Sequence, residues 1–335
     1  MIIGLIIIVV VLLFVAGYVL FTQKYLYVHH STLLTSPVDS LQEHTLQLEF
    51  WSSWLPWALY DESASVLVNQ RNSQSLNGAL ILLKGQHLGT LSCHIEQGDD
   101  PKLIRFYVTS DHFYLNPIQI QVELTHTEGQ QTLLNVTASS ELNFWHRYRQ
   151  NTELKQLHSD MHLLLIRLKA RMPTSRDASI HFDVQGCRTL QNVDAVTRPF
   201  IVNDRPMSMK MEQGFRDLNT ALGPDNPPAG PRFALYEAAN LSQHYFVGKL
   251  GIPIQCFSPC EAQPEKITFK GKYIGLKYQG SYQHLWLAWH VLHTYSRLHG
   301  YKHAKQRMSL EVYETSPRET PEEENYITVL HLPIQ

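Results

Sequence analysis

From Ile2 to Phe21 the chain contains no charged side chain, and every residue is Ile, Val, Leu, Phe, Ala, Gly or Tyr. A helix of about 20 apolar residues is long enough to span the hydrocarbon layer of a bilayer. A cleaved secretory signal would instead need a basic segment before the apolar run, a shorter run and a small-residue cleavage site. Here no basic side chain precedes the run, and Ala16-Gly17 is followed by further apolar residues. The sequence therefore predicts an uncleaved transmembrane anchor over residues 1–24.

The flanks of this run and the cysteines indicate where the rest of the chain lies. Lys24 follows the run and no charged side chain precedes it, which favours a body on the cytoplasmic side. The cysteines are few and scattered, so no disulfide scaffold is expected from Cys93, Cys187, Cys256 and Cys260. We predict a single-pass protein of the inner (cytoplasmic) membrane of a bacterium, with its body in the cytoplasm.

The overall charge restricts the class of partner. The chain has 28 Lys and Arg against 30 Asp and Glu, which gives a formal net charge of −2. A surface that binds nucleic acid directly normally carries an excess of basic residues. We therefore expect no direct nucleic-acid partner, and the sequence leaves a protein partner open.

The first half of the body is predicted to contain a series of strands followed by one long helix. Residues 25–45 are polar and rich in turn formers, which predicts a tether. β-rich segments separated by polar turns follow, at residues 79–83, 103–108, 118–122 and 132–136. A helix is then predicted by apolar residues at 3.6-residue spacing, which are Leu154, Leu157, Met161, Leu164, Leu165, Leu168 and Met172. Pro173 ends it, so the first folded domain is predicted at residues 46–173.

The second half repeats one order of elements. After a linker at residues 172–177, a strand at 180–184, a helix at 207–222 and a strand at 233–236 are predicted, followed by Tyr245-Phe246-Val247. A strand at 272–278, a helix at 282–299 and strands at 308–313 and 326–332 repeat this order. The pattern predicts an α+β fold in which residues 174–335 form a second domain of two β-α-β-β modules.

Several motifs in this second domain resemble the GyrI-like (gyrase-inhibitor-like) effector-binding family. They occur in the family's order and are Phe233-Ala234-Leu235-Tyr236, Leu250-Gly251-Ile252-Pro253-Ile254, Gly280-Ser281-Tyr282, Leu310-Glu311-Val312-Tyr313-Glu314, Ser316-Pro317 and Glu319-Thr320-Pro321-Glu322-Glu323-Glu324. The resemblance covers roughly residues 179–335. It implies a cleft between the two modules that binds hydrophobic, often cationic, small molecules. Some relatives in this family hydrolyse small molecules.

The first domain resembles the START-like polyketide cyclase/dehydrase family. The match consists of Thr35-Ser36-Pro37-Val38, the segment Trp51-Ser52-Ser53-Trp54-Leu55-Pro56-Trp57, the strands and the closing helix. This resemblance implies a helix-grip fold with a cavity for apolar ligands. The usual opening motif of that family is not present in a clean form.

Glu311 is the principal candidate for a binding residue. In the strand at 308–313, Ser309, Glu311 and Tyr313 share one face, while Met308, Leu310 and Val312 share the other. Alternation alone would place Glu311 in solvent. The resemblance instead directs this face into the ligand cleft, where a carboxylate among aromatic rings could pair with a ligand cation or polarise a water molecule.

The resemblance also adds aromatic side chains to the predicted ligand site. Tyr313 and Tyr236 occupy corresponding places in the two modules and either line the cleft or pack the sheet, and Tyr282 belongs to the same motifs. On a helical wheel Trp286 lies on a polar arc and needs a ligand, a domain or a membrane surface as partner, although a half-buried Trp is also common there. Trp289 falls on the core stripe and is predicted to be structural.

No cofactor and no metal are expected from the sequence. His290 and His293 have no acidic or Cys neighbour that completes a ligand set, and the segment Cys256 to Cys260 has no recognised metal spacing. The leading hypothesis is a membrane-anchored sensor or carrier of apolar or cationic ligands. The alternatives are a hydrolase in which Glu311 is the general base and Tyr313 or Tyr236 donates a hydrogen bond, and an interaction scaffold with degenerate clefts.

Overall fold

The computed structural model describes residues 2–35, 37–38, 47–69, 76–97, 100, 102–127, 131–171, 180–202, 206–224, 226–240, 245–255, 265–305 and 307–335. The chain divides into two compact units, Met1–Ala178 and Ser179–Gln335. Both are built on antiparallel sheets with helices, an α+β architecture. The linker predicted at residues 172–177 lies outside the described residues.

The first helix, α1, runs from Ile2 to Phe21. Its side chains are described without interruption only from Ile6 to Tyr18, and most of them are exposed, Phe14 by 75%. Over the described residues, no helix combines the length and the apolar character needed to cross a membrane. This finding overturns the predicted transmembrane helix, and with it the predicted single-pass location in the inner membrane.

The segment predicted as a tether begins with a strand. β1 spans Tyr25–Leu34 and pairs antiparallel with β7 (Gln131–Glu141) along its whole length. Leu26 and Val28 point inward and are buried, whereas their neighbours Tyr25, Tyr27 and His29 are exposed. The polar outward face hides this alternation in the sequence, so a half-buried edge strand resembles a polar linker.

Unit 1 is a seven-stranded antiparallel sheet with one long helix against it. Its strand order is β1-β7-β6-β5-β4-β3-β2, and the remaining strands are β2 Ser65–Asn69, β3 Leu80–Gly85, β4 Gly89–Gln97, β5 Leu103–Ser110 and β6 Ile118–Thr127. A helical turn, α2 (Trp51–Trp54), and 3-10 turns at Leu48–Phe50, Pro56–Leu59 and Phe144–Arg149 connect them. The helix α3 (Gln150–Ala170) contacts β1 and β7. Its apolar stripe supplies much of the core, as the spacing predicts.

Unit 2 is a closed six-stranded barrel with two helices. The strands follow the order β10-β8-β11-β13-β12-β9 around the barrel. Along the chain the elements are β8 His181–Val202, α4 Met207–Leu222, β9 Phe233–Asn240, β10 Tyr245–Pro253, β11 Glu265–Gln279, α5 Leu285–Leu298, β12 Ser309–Thr315 and β13 Ile327–Pro333. The order β-α-β-β therefore occurs twice, as the sequence pattern indicates. Two further 3-10 turns lie at Tyr282–His284 and Glu323–Asn325.

β8 is far longer than its predicted span because it bends rather than ends. It pairs with β11 from Gln279↔His181 to Glu265↔Thr197, with a register shift next to Gly275. Gly186, opposite Gly275, has φ +68°, a left-handed conformation that glycine adopts without strain. A glycine at this position lets one strand continue through the irregularity.

The backbones of β10 and β9 approach so closely at Gly248 that this position requires glycine. It lies at a register shift between β10 and β9, and a Cβ on it would overlap the backbone carbonyl of Leu235. We expect Gly248→Ala to lower the free energy of unfolding by roughly 1–3 kcal/mol, because a backbone atom must move. Urea unfolding would measure this loss. Ala239→Ser, at an exposed site on the neighbouring strand β9, is the control, and equal effects of the two substitutions would contradict the steric argument.

His331 on β13 gives the barrel an acid-sensitive position. It is 7% exposed, and burial lowers its pKa to about 4 from 6.5. The folded state therefore keeps it neutral, and its stabilising contribution is complete above pH 6.5 and is lost as the pH falls toward 4. Between pH 7 and pH 4.5 this amounts to roughly 2–3 kcal/mol. Urea unfolding at both pH values should show a smaller pH dependence for His331→Leu than for the wild type; an unchanged dependence would exclude this role.

Candidate functional site

Glu311 lies in the middle of the barrel wall. It belongs to β12, where its register partners are Ala234 on β9 and Leu330 on β13. Its side chain is only 5% exposed. Alternation alone would have placed this carboxylate in solvent; the structure buries it.

Three side chains donate hydrogen bonds to the Glu311 carboxylate. The hydroxyls of Tyr313 and Tyr236 donate to Oε2 over 2.6 Å and 2.8 Å, and the indole Nε1–H of Trp289 donates to Oε1 over 2.6 Å. The two tyrosine hydroxyls are 3.5 Å apart. Both carboxylate oxygens are thus held by neutral donors that come from three different elements, β12, β9 and α5.

Burial dominates the electrostatics of the site. Desolvation raises the pKa of Glu311 above its ordinary value, and the hydrogen bonds from Tyr313, Trp289 and Tyr236 oppose this only in part. Burial and the nearby Glu311 charge raise the pKa values of Tyr236 and Tyr313 well above 10, so both phenols stay protonated and remain donors. A positive charge placed beside the carboxylate would therefore stabilise its ionised form.

The two tyrosines that hold this carboxylate belong to a cluster of apolar and aromatic side chains. We call them, together with Glu311 and Trp289, the Glu311 cluster. Its buried members are Phe200, Val202, Phe215, Ala234, Tyr236, Leu250 and Tyr313, and the half-buried side chains packed on them are Met207, Met211, Phe246 and Tyr282. The rings meet edge to face, Phe215 at 6.2 Å from Tyr313 and Phe200 at 5.9 Å from Tyr236. The carboxylate therefore sits in a mainly aromatic environment.

Four of the five side chains predicted for the ligand site meet in this cluster. Glu311, Tyr313 and Tyr236 share hydrogen bonds, and the Tyr282 ring lies 5.9 Å from the Tyr313 ring. Trp286 is half-buried on the first turn of α5. Trp289, predicted to be structural, is the tryptophan that donates to it.

Sequence reasoning missed the contribution of the first module's helix. Met207 and Met211 lie one turn apart on α4, and Phe215 follows one turn later on the same helix. The sequence predicts a helix at residues 207–222 but assigns none of its side chains to the ligand site. The signal that could have identified these residues is the repeat itself, because α4 and α5 occupy equivalent places in the two modules. The segment Cys256 to Cys260 lies outside the described residues.

No protein-family profile matches the chain. No curated protein matches it either.

Solved structures resemble parts of the chain at low identity. The C-terminal domain of EcmrR is 14% identical and covers 47% of this chain and 98% of its own, with a TM-score of 0.39. SAV2435 bound to tetraphenylphosphonium is 18% identical, covering 46% and 94%, with a TM-score of 0.33. An aromatase/cyclase from a Streptomyces species is 12% identical, covering 45% and 97%, with a TM-score of 0.32. Similarities with such low sequence identities and TM-scores support no conclusion about activity.

Proposed function

We propose that the Glu311 cluster binds a hydrophobic organic cation and that the chain acts as a sensor or carrier of such compounds. The observation that carries the proposal is a carboxylate that is 5% exposed and held by three neutral donors. An ionised carboxylate in this environment is costly unless a cation accompanies it. A ligand cation supplies that missing charge.

The surroundings of the carboxylate favour an organic cation over a hydrated metal ion. Aromatic faces attract a cation through the ring quadrupole, and they also bury the apolar groups that it carries. The rings of Tyr236, Tyr313 and Phe215 lie next to the carboxylate or to each other. A metal ion would instead require several oxygen or nitrogen ligands.

Half-buried apolar side chains border the cluster. Met207, Met211, Phe246 and Tyr282 pack against the buried part of the cluster without being fully buried themselves. Methionine side chains are unbranched and repack readily around ligands of different shape. We propose that a ligand enters by displacing these side chains while the hydrogen-bonded core keeps its geometry.

Hydrolysis by Glu311 is less well supported. A general base needs a raised pKa, which burial provides, and it needs a donor aimed at the charge that develops on the substrate. The Tyr236 and Tyr313 hydroxyls instead donate to Glu311 itself. The geometry therefore favours binding over catalysis. A scaffold in which the cluster only packs the barrel would bind no cation at all, which the following titration tests.

Calorimetric titration with tetraphenylphosphonium, the cation bound by SAV2435, tests the proposal. The cation requires ionised Glu311, so we expect its affinity to fall by about tenfold per pH unit once the pH drops below the raised pKa of this carboxyl. A neutral amphiphile of similar size should show no such pH dependence. Absence of binding from pH 8 down to pH 4.5, or binding with no pH dependence, would overturn the proposal.

A further inference from the structure

A cationic side chain, Arg232, lies at the border of the Glu311 cluster. Arg232 directly precedes β9, and alternate residues along a strand share one face. It therefore projects on the same face as Ala234 and Tyr236, which belong to the cluster. Its guanidinium carbon lies 4.9 Å from the ring centroid of Phe215, another member. The structure thus places a positive charge at one side of the proposed binding site.

Arg232 and Glu311 are near neighbours on adjacent strands. Ala234 is the register partner of Glu311. Two positions away, the Tyr313 amide donates to the Arg232 carbonyl over 3.0 Å. Diagonal positions of this kind are about 7–8 Å apart, a distance that a long side chain can span. Both charges also act on the Tyr282 phenol: burial raises its pKa, the Arg232 charge lowers it and the Glu311 charge raises it.

These two opposite charges nevertheless do not pair with each other. The Glu311 carboxylate accepts hydrogen bonds from two tyrosines and a tryptophan. One guanidinium N–H of Arg232 donates to the Ser316 hydroxyl over 2.8 Å, and this hydroxyl in turn donates to the Glu319 carboxylate over 2.5 Å. Among the described residues, Arg232 forms no ion pair, and its side chain donates no other hydrogen bond.

The Arg232 guanidinium is suited to bind a carboxylate from a ligand. It carries five N–H donors in a planar fork that matches the two oxygens of a carboxylate, and most of these donors have no acceptor among the described residues. Arg232 is half-buried, so water and salt screen an ion pair here less than at an open surface. The Phe215 ring limits the position of the guanidinium.

We propose that the ligand of the Glu311 cluster is a zwitterion, an organic cation with apolar groups that also carries a carboxylate a few carbon atoms from its positive charge. The cation lies beside Glu311, and the carboxylate pairs with Arg232. A ligand of this class compensates both protein charges, whereas a simple cation is repelled by Arg232. This inference rests on the function proposed above and narrows its ligand class.

Two phosphonium probes of similar size test the inference by calorimetric titration of the full chain at pH 8. Butyltriphenylphosphonium carries only the cation, and (3-carboxypropyl)triphenylphosphonium carries an ionised carboxylate on a chain of the same length. We expect the wild type to bind the second probe at least about tenfold more tightly, because a charge-assisted bidentate pair forms only with its carboxylate. Equal affinities would overturn the inference and leave the proposed cation site standing. Absence of binding by either probe would overturn both.

Replacing Arg232 by methionine should move the two affinities in opposite directions. The affinity for the carboxylate-bearing probe should fall at least about tenfold, because its ion pair is lost. The affinity for the butyl probe should rise by roughly threefold or more, because a like charge about 7–8 Å away is removed. Methionine keeps an unbranched apolar stem at this position, so the change reports mainly the charge.

Arg216→Met is the matched control for this variant. Arg216 is exposed on α4, next to Phe215 along the chain, and its substitution removes the same charge from the protein. It should leave both affinities unchanged. If the preference for the carboxylate-bearing probe survives in Arg232→Met, the carboxylate binds elsewhere and the inference is wrong. If Arg232→Met weakens both probes equally, Arg232 has only a structural role, which would also overturn the inference.

Discussion

Replacing Glu311 by glutamine is expected to weaken the binding of tetraphenylphosphonium by at least about 30-fold. Loss of one partner of a buried charge pair costs roughly 2–5 kcal/mol, because the other charge stays desolvated without compensation. Glutamine preserves the shape of the side chain, and its carbonyl oxygen can still accept from Tyr236 or Tyr313. The loss should therefore report the charge rather than the packing, and calorimetric titration at pH 8 measures it.

Glu314→Gln is the matched control for this experiment. Glu314 is exposed three residues along the same strand and pairs with Lys277 at 2.9 Å, so its substitution should leave the cation affinity unchanged. A neutral amphiphile should bind Glu311→Gln as well as it binds the wild type. If Glu311→Gln loses affinity for the cation and for the neutral amphiphile equally, the variant disrupts the cluster. If its affinity for the cation is unchanged, the ligand binds elsewhere.

The same substitution should remove a pH-dependent destabilisation. The pKa of Glu311 is raised in the folded state, so its contribution to stability is complete below the unfolded value of 4.5 and is lost as the pH rises through the folded value. Glu311→Gln cannot ionise. Its free energy of unfolding relative to the wild type should therefore rise with pH, which separates a folded variant that lacks binding from an unfolded one.

The second large effect is expected at Asp160 in unit 1. This side chain is 0% exposed and accepts hydrogen bonds from the hydroxyls of Tyr60 and Tyr114 and, over 3.0 Å, from the Gln156 amide. Trp57 in turn donates to the Tyr114 hydroxyl over 2.8 Å. Asp160→Ala leaves these buried donors without their acceptor. We expect the free energy of unfolding of unit 1 to fall by roughly 3–5 kcal/mol, because the unsatisfied buried donors and the cavity left by the truncated side chain both destabilise the folded state.

Urea unfolding monitored by tryptophan emission measures this loss, with the transitions of the two units fitted separately because one two-state fit does not apply. Asp160→Asn retains an acceptor and should lose less than the alanine variant. Asp111→Ala is the exposed control; Asp111 accepts from the Thr90 amide over 3.1 Å, and its loss should cost less than about 1 kcal/mol. If Asp160→Ala costs no more than this control, the network does not stabilise the fold.

Hydrophobic periodicity along the sequence predicted most of the secondary structure. The apolar stripe from Leu157 to Leu168 is enough to place α3, and the repeated order of strands and helices is enough to place both modules of the barrel. Such patterns report which face of an element is apolar, which depends on neighbours along the chain. The edge strand β1 was not predicted because only one of its faces is buried, and the polar residues of the other face give the segment the composition of a linker.

The sequence alone also determined that Glu311 and Tyr313 share one face of a strand, since alternate residues must do so. Whether that face is wet or buried was decided by the tertiary structure. Closure of the barrel brings Tyr236 and Trp289, separated from Glu311 by 75 and 22 residues, onto its carboxylate. In the same way, pairing of β1 at the sheet edge brings His30 to His158 across 128 residues. Burial of a polar group depends on what packs against it from distant parts of the chain, and no local pattern records those partners.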